Sequence, residues 1–333
     1  MATRITEWVD VETLPPRSLH TFDFALVRLA DGSWLTIPVH VAVGNRSRPR
    51  LVALAGIHGD EPEGMLSLLD FWSACNPGGL EGTVILVPVA NPSAFAAHQR
   101  RSPLDGLDLN RTFPGKADGT PSERLAHRLL HEVIAGADLV FTLHSWYATG
   151  MVAPYVEFMD GDDPVATRSF EAAKAAGFAR LRKGEWPGGV LGRATHALGI
   201  PLIGAEIGGH GLSTAENRAE YLDHLTRVLQ HLGILPGPSP PNPEPELYAR
   251  GQLFAPAGGM LRLAVSAGVH VEAGTLLATI TDLHGEPVAE MRAPYAGLVA
   301  AVRDYVSVNP GDHVFAFFRP LSEATNHPRG WPA

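Results

Sequence analysis

The stretch "LAGIHGDEPEG", Leu54–Gly64, closes an apolar run with a glycine, a histidine and three acidic residues in one short turn. Two readings compete for it. Asp60, Glu61 and Glu63 suit the start of a following helix, where negative charge is favoured. His58 and Glu61 are also spaced three apart, as two ligands converging on one ion would be. The turn alone fits both readings, so its surroundings have to decide.

On either side, the chain alternates strand and helix signals. Residues 22–43, "FDFALVRLADGSWLTIPVHVAV", read as two strands around the Asp31-Gly32 turn. "RLVALAGI" (50–57), "GTVILVPVAN" (82–91), "ADLVFTLHS" (137–145) and "IPLIGAEIGG" (200–209) read as buried strands. Helical spacing marks 63–75, 122–136 with Ser122 as N-cap, 162–177 and 214–233. The expectation is an α/β domain, a mostly parallel or mixed sheet flanked by helices, over residues 1–234.

The composition then changes. "LPGPSPPNPEPE" (235–246) has six prolines and reads as a stiff linker, taken to run over 235–247. Residues 248–333 read as an all-β module of short strands and glycine turns. Its two halves look alike, Ala255-Pro256 to Gly274 and Ala293-Pro294 to Gly311. This module resembles the barrel-sandwich fold of biotinyl and lipoyl carriers. Those carriers need a lysine at a hairpin tip, and no lysine follows Lys183, so a structural or site-capping role is expected instead.

Composition excludes several classes of function. The 333 residues are 45% hydrophobic, enough for a sizeable core, and no apolar run reaches the ~20 residues of a membrane helix. The net charge of -9 argues against a nucleic-acid partner. Cys75 is the only cysteine, which excludes an internal disulfide and a cysteine-rich metal site. The start, "MATRITEWVDVETLPPR", has no apolar stretch of signal-peptide type, so the cytoplasm is the expected location. A homo-oligomer is left open.

The chemically interesting residues fall at predicted strand ends, where open α/β sheets hold their ligands. His58 and Glu61 follow the strand 50–57, and His144 closes the strand that begins at Ala137. Glu206 lies near the end of the strand beginning at Ile200. The loop "RRSPLDGLDLNRTFPG" (100–115) adds Arg100, Arg101, Asn110 and Arg111. Two imidazoles and a carboxylate make a three-ligand zinc site with one open position. An unliganded carboxylate, Glu206, could move the water proton. An arginine could stabilise the oxyanion, and Asn110 with Arg111 could fork onto a substrate carboxylate.

Each residue has a bland reading too. His144 could be a packed core histidine, Glu206 a buried partner of Arg193, and Asn110-Arg111 a loop held through Asp108. Trp146 and Tyr147 could floor an apolar pocket or simply pack.

"GIHGDEPEG", "DLNRTFPG", "TLHSW" and "AEIGG", in that order, resemble the aspartoacylase and succinylglutamate desuccinylase family, within the zinc carboxypeptidase fold. The resemblance covers roughly residues 45–233 plus the β-module. It implies one zinc ion (Zn2+) per chain on His58, Glu61 and His144, with Glu206 as general base and acid. It implies Asn110 and Arg111 on the substrate carboxylate, and Arg100 or Arg101 on the scissile carbonyl. The family's aspartate-specific members add arginine and tyrosine contacts. Arg193 and His196 precede Glu206 here without a clear match, and Tyr295 and Tyr305 are likewise unassigned.

The expected function is a zinc-dependent amidohydrolase acting on a small carboxylate-bearing amide such as an N-acyl amino acid. A metallocarboxypeptidase acting on peptides is the alternative. A non-catalytic zinc-binding interaction protein is a third reading, although metal binding alone does not need Glu206.

Overall fold

The alternation over residues 22–43 becomes a hairpin, and the hairpin begins a sheet that continues past the proline-rich stretch. The computed structural model describes residues 3–184, 186–237 and 244–321. β1 (Thr3–Ile5) lies beside β2 (Ser18–Arg28), which turns back as β3 (Trp34–Val43). β4 (Arg50–Ala55) and β5 (Thr83–Val87) are buried at every residue. Such unbroken runs belong to strands covered on both faces. β6 (Leu139–His144), β7 (Gly150–Met159), β8 (Arg180–Gly184) and β9 (Leu202–Gly209) follow.

Across the sheet the order is β1-β2-β3-β5-β4-β6-β9-β7-β8. The central strands β5, β4, β6 and β9 are parallel, so their C-terminal ends share one edge. β7 is antiparallel to β9 and brings residues from the far side of the sheet back to that edge.

Six α-helices among the described residues cover the two faces: α1 (Pro62–Ala74), α2 (Pro92–Ala96), α3 (Pro121–Arg128), α4 (Pro164–Ala175), α5 (Leu191–Ala197) and α6 (Ala215–His231). α3 and α5 pack into one apolar cluster with Val52, Leu54 and Val140. α1, α6 and most of α4 pack into another with Leu51, Ala53 and Phe141. Proline opens α1, α2, α3 and α4, where its missing N–H leaves nothing unsatisfied. The N-cap of α3 is Thr120, in place of the expected Ser122. Thr120 and Glu123 form a reciprocal capping box, and Ser122 hydrogen-bonds Asp105 instead. No helix of the described residues is long and apolar enough to cross a membrane.

The described C-terminal residues form only β strands and their connections: β10 (Glu246–Ala249), β11 (Gln252–Phe254), β12 (Gly259–Leu263), β13 (Val269–Val271), β14 (Leu276–Thr281), β15 (Pro287–Arg292), β16 (Gly297–Arg303), β17 (Ser307–Val308) and β18 (His313–Pro320). β15, β14, β12 and β17 make a separate four-stranded sheet. The others extend the large sheet. β10 pairs parallel with β8 from Glu246 opposite Arg180, and β16 pairs antiparallel with β7 through Ala301 opposite Val152. β10 thus starts inside the stretch read as linker; residues 238–243 of that stretch, and 322–333 of the module, lie outside the described residues. A shared cluster of Trp146, Val152 and Tyr155 with Tyr248, Leu298 and Phe318 packs the module onto the α/β body.

A chain ending at Gly237 would leave β8 and one side of β7 without these partners, and unpaired edges aggregate. We expect that fragment to lose the cooperative melting of the full chain or to collect in aggregates. Circular dichroism and light scattering check this; a fragment melting cooperatively at the parent temperature would show the module dispensable.

Candidate active site

The opening turn is built to hold Glu61 against His144. β4 ends at Ala55, and Gly56, at φ +64°, turns the chain toward His58. The first turn of α1 lies against the end of β6. A Cβ on Gly64 would stand 2.6 Å from the Cβ of Leu143, so glycine is required there. β4 and β6 are parallel neighbours with Ala55 opposite Leu143, which levels the two strand ends. Glu61 takes the N-cap position of α1 yet makes no capping bond. Its Oε1 lies 2.7 Å from His58 Nδ1 and its Oε2 lies 2.8 Å from His144 Nδ1. Glu63 accepts from Asn217 Nδ2 at 3.0 Å and ties α1 to α6. The turn does start a helix, with Glu61 at its N-cap position and Glu63 in its first turn, but the Glu61 carboxylate is spent on the two imidazoles and caps no backbone N–H.

All three side chains are buried, and one ligand atom of each lies within 4.8 Å of the others. Burial works against a charge on Glu61, but the two imidazoles outweigh it and hold Glu61 well below the usual carboxylate range. Burial works against a charged His58 as well, and Glu61 outweighs that, raising His58 above its ordinary value. The donor set fits a cation: two imidazoles and one carboxylate with a position to spare. Behind His58, its Nε2 lies 3.4 Å from Asp108 Oδ1, the kind of outer carboxylate that orients a ligating ring.

The loop over 100–115 places its polar residues unequally. Arg100 turns inward, its Nε on Asp108 Oδ2 at 2.9 Å, an Nη1 3.6 Å from Glu61, and its guanidinium over the Tyr147 ring. Arg101 is exposed and donates to the carbonyl of Gly106 at 3.3 Å, outside the cavity. Asn110 Oδ1 accepts from the N–H of Leu191 at 3.0 Å, pinning the loop to the start of α5. Gly189, at φ +91°, lets the chain pass close to Arg111, since a Cβ there would stand 2.4 Å from the Arg111 carbonyl. Arg111 lines the cavity and donates to the carbonyl of Asn110 at 2.7 Å.

Glu206 sits on β9 directly opposite His144 on β6. Its Oε2 is buried without a partner, an expensive state for a carboxylate. Burial first, then the nearby charge of Glu61, push its pKa up to about 8. Trp146 and Tyr147 line the same cavity with ring centroids 4.9 Å apart.

Arg193 is exposed on α5 outside the cavity, and His196 pairs with Asp163 at 2.9 Å. Tyr295 and Tyr305 do not line it either.

Several cavity residues were not read from the sequence. Tyr155 and Glu157 come from β7, Arg182 from β8, Trp186 from the loop before α5, and Arg250 and Phe318 from the β-module. Arg182 is buried and forms a close ion pair with Glu157, which also accepts from Trp186 Nε1 at 3.2 Å. A signal was present in "APYVEFM": Tyr155 and Glu157 alternate with core residues Val156 and Phe158, the pattern of a strand with one polar face.

Residues 47–232 match the model of the succinylglutamate desuccinylase/aspartoacylase catalytic domain. The chain is 32% identical over 295 residues to the N-alpha-acetyl-L-2,4-diaminobutyric acid deacetylase of Halomonas elongata, covering 85% of this chain and 86% of that one. Among solved structures it is similar to the product-bound ectoine utilization protein EutE (DoeB) of Ruegeria pomeroyi, at 28% identity and a TM-score of 0.84, covering 92% of this chain and 97% of that one. A succinylglutamate desuccinylase/aspartoacylase from Rhodobacter sphaeroides gives 25% identity and a TM-score of 0.84, covering 94% and 98%.

Changing His144 to Ala removes one of three convergent donors and one partner of Glu61, so stoichiometric metal should be lost while a cooperative melting transition remains at a lower temperature. Elemental analysis of the purified variant checks this. Full metal content would take His144 out of the ligand set.

Proposed function

The chain belongs to the succinylglutamate desuccinylase/aspartoacylase family, and on that premise we propose that it is a zinc-dependent amidohydrolase that removes a short acyl group from an N-acylated amino acid. The observation that carries this reading is the unpartnered Glu206 carboxylate oxygen beside the buried His58, Glu61 and His144. A site that only stored metal would have no use for that second carboxylate. The identity to a diaminobutyric acid deacetylase makes N-acetyl-2,4-diaminobutyrate the first substrate to test.

His58, Glu61 and His144 would hold the zinc. When bound, the ion supplies Lewis acidity toward water and the scissile carbonyl, and a positive charge that offsets the effect of Glu61 on Glu206. Glu206 takes the proton of the attacking water and returns it to the departing nitrogen. Arg100, anchored by Asp108, is placed to stabilise the developing oxyanion. Arg111, with Asn110 fixing the loop beneath it, meets the free carboxylate of the amino acid. Trp146 and Tyr147 present an apolar wall to the acyl or side-chain group. Arg250, Ala316 and Phe318 of the β-module line the same cavity, which favours a small substrate over a peptide chain.

The test is a metal-loaded hydrolysis screen of N-acetyl-2,4-diaminobutyrate, N-acetylaspartate and succinylglutamate against short peptides. Turnover of peptides alone would transfer the reading to a carboxypeptidase. Glu206→Gln should keep zinc and substrate affinity but lose about 10²–10⁴-fold in kcat. A variant within about threefold of the parent, roughly 0.7 kcal/mol, would remove Glu206 from the proton transfer.

A further inference from the structure

Arg250 enters the cavity from the turn between β10 and β11, where the β-module joins the main sheet. Its position is tied down on several sides. β10 pairs with both β8 and β18, and the next carbonyl, of Gly251, accepts from the N–H of Phe317 at 2.9 Å. A Cβ on Gly251 would stand 2.3 Å from the Phe317 carbonyl, so this turn lies flat against β18. The guanidinium is therefore delivered by rigid backbone.

Arg250 is exposed and lines the cavity. Among the described residues Arg250 has no hydrogen-bond or ion-pair partner. Its charge acts on Arg111, Arg182, Tyr147, Tyr155 and His313. None of them is an anion. Tyr155 is buried and Tyr147 half-buried, and burial raises both phenols above their ordinary value, so they stay neutral. Burial, and then the charge of Arg250, push His313 down to about 4, so it too is neutral. Of the cavity's acids, Glu157 holds Arg182 and Glu61 is met by His58 and His144, while burial and then Glu61 push Glu206 up to about 8; Asp108 beside them holds Arg100. Two arginines from distant parts of the chain, Arg111 and Arg250, thus line one cavity, and among the described residues neither forms an ion pair. Burial, and then Arg100 and Arg250 against the opposing effect of Asp108, hold Arg111 below its ordinary value. A guanidinium cannot shed its proton to relieve this, so the arrangement awaits an anion.

We infer that Arg250 and Arg111 close on the same substrate carboxylate, one from the catalytic loop and one from the β-module. This rests on the reading that substrates carry a free carboxylate, and it gives the module a direct part in recognition. A carboxylate has two oxygens and room for both forks.

The experiment compares N-acetyl-2,4-diaminobutyrate with its carboxamide in the zinc-loaded parent, Arg250→Gln, Arg250→Lys, Arg111→Gln and the Arg111→Gln/Arg250→Gln double variant. In Arg250→Gln the KM for the acid should rise about tenfold or more with kcat retained, and the acid-over-amide preference should fall by the same factor. Arg250→Lys should recover part of that preference, because the charge returns without the fork. The double variant should lose less than the product of the single losses, since both groups act on one anion. An acid-over-amide preference unchanged in Arg250→Gln would overturn the inference. If the parent hydrolyses neither compound, the proposed reaction fails, and Arg250 is read by calorimetric binding of the same pair. Preference for the acid that disappears in Arg250→Gln would still support the clamp, and a parent without such preference would overturn it.

Discussion

One carboxylate shared between two imidazoles organises this molecule. Glu61 is buried, and an unpaired ionised carboxylate could not be. It remains charged because His58 and His144 meet its two oxygens, and removing either partner of such a buried pair costs about 3–5 kcal/mol in comparable cases. That requirement propagates outward. It needs level ends on β4 and β6, a glycine at position 64 so that α1 can start against β6, and Asp108 behind His58. Asp108 in turn fixes Arg100, and Glu61 raises Glu206 across the cavity. The same charge that makes Glu61 a good donor to a cation makes its neighbour a reluctant acid.

Most of the α/β body could be read from its residues because its strands are buried on both faces and its helices begin with strong signals. "RLVALAGI" and "ADLVFTLHS" leave no other economical assignment, and Pro62, Pro121 and Pro164 mark helix starts. That His58, Glu61, His144 and Glu206 share one cavity was legible because the first two follow an apolar strand and the other two interrupt apolar strands near their ends. Ser122 was misread as a cap because a Ser before an apolar run is a good local signal; Thr120 wins by having Pro121 and Glu123 at the right offsets.

The residues that escaped reading share one cause. Tyr155, Glu157, Arg182 and Arg250 come to the cavity through pairings between strands far apart in sequence, and no local pattern announces a partner. Choosing between Arg100 and Arg101 was equally beyond sequence, since adjacent loop residues point apart only once Asp108 and Gly106 are placed. The proline-rich stretch carried a different lesson. A composition that signals separation between two units gives no warning that strands on its far side rejoin the sheet.

The pairing of β8 with β10, and of β7 with β16, has a temporal meaning. During synthesis the residues around His58 and His144 emerge long before Arg250 and Phe318, and domains tend to fold in that order. Contacts this distant in sequence also form slowly. A chain still short of β10 and β16 therefore carries His58, Glu61, His144 and Glu206 while β8 and one side of β7 are unpaired and one wall of the cavity is missing. Completion of the sheet and closure of the cavity are then one late event, so the site gains its last wall only when the whole fold is secured.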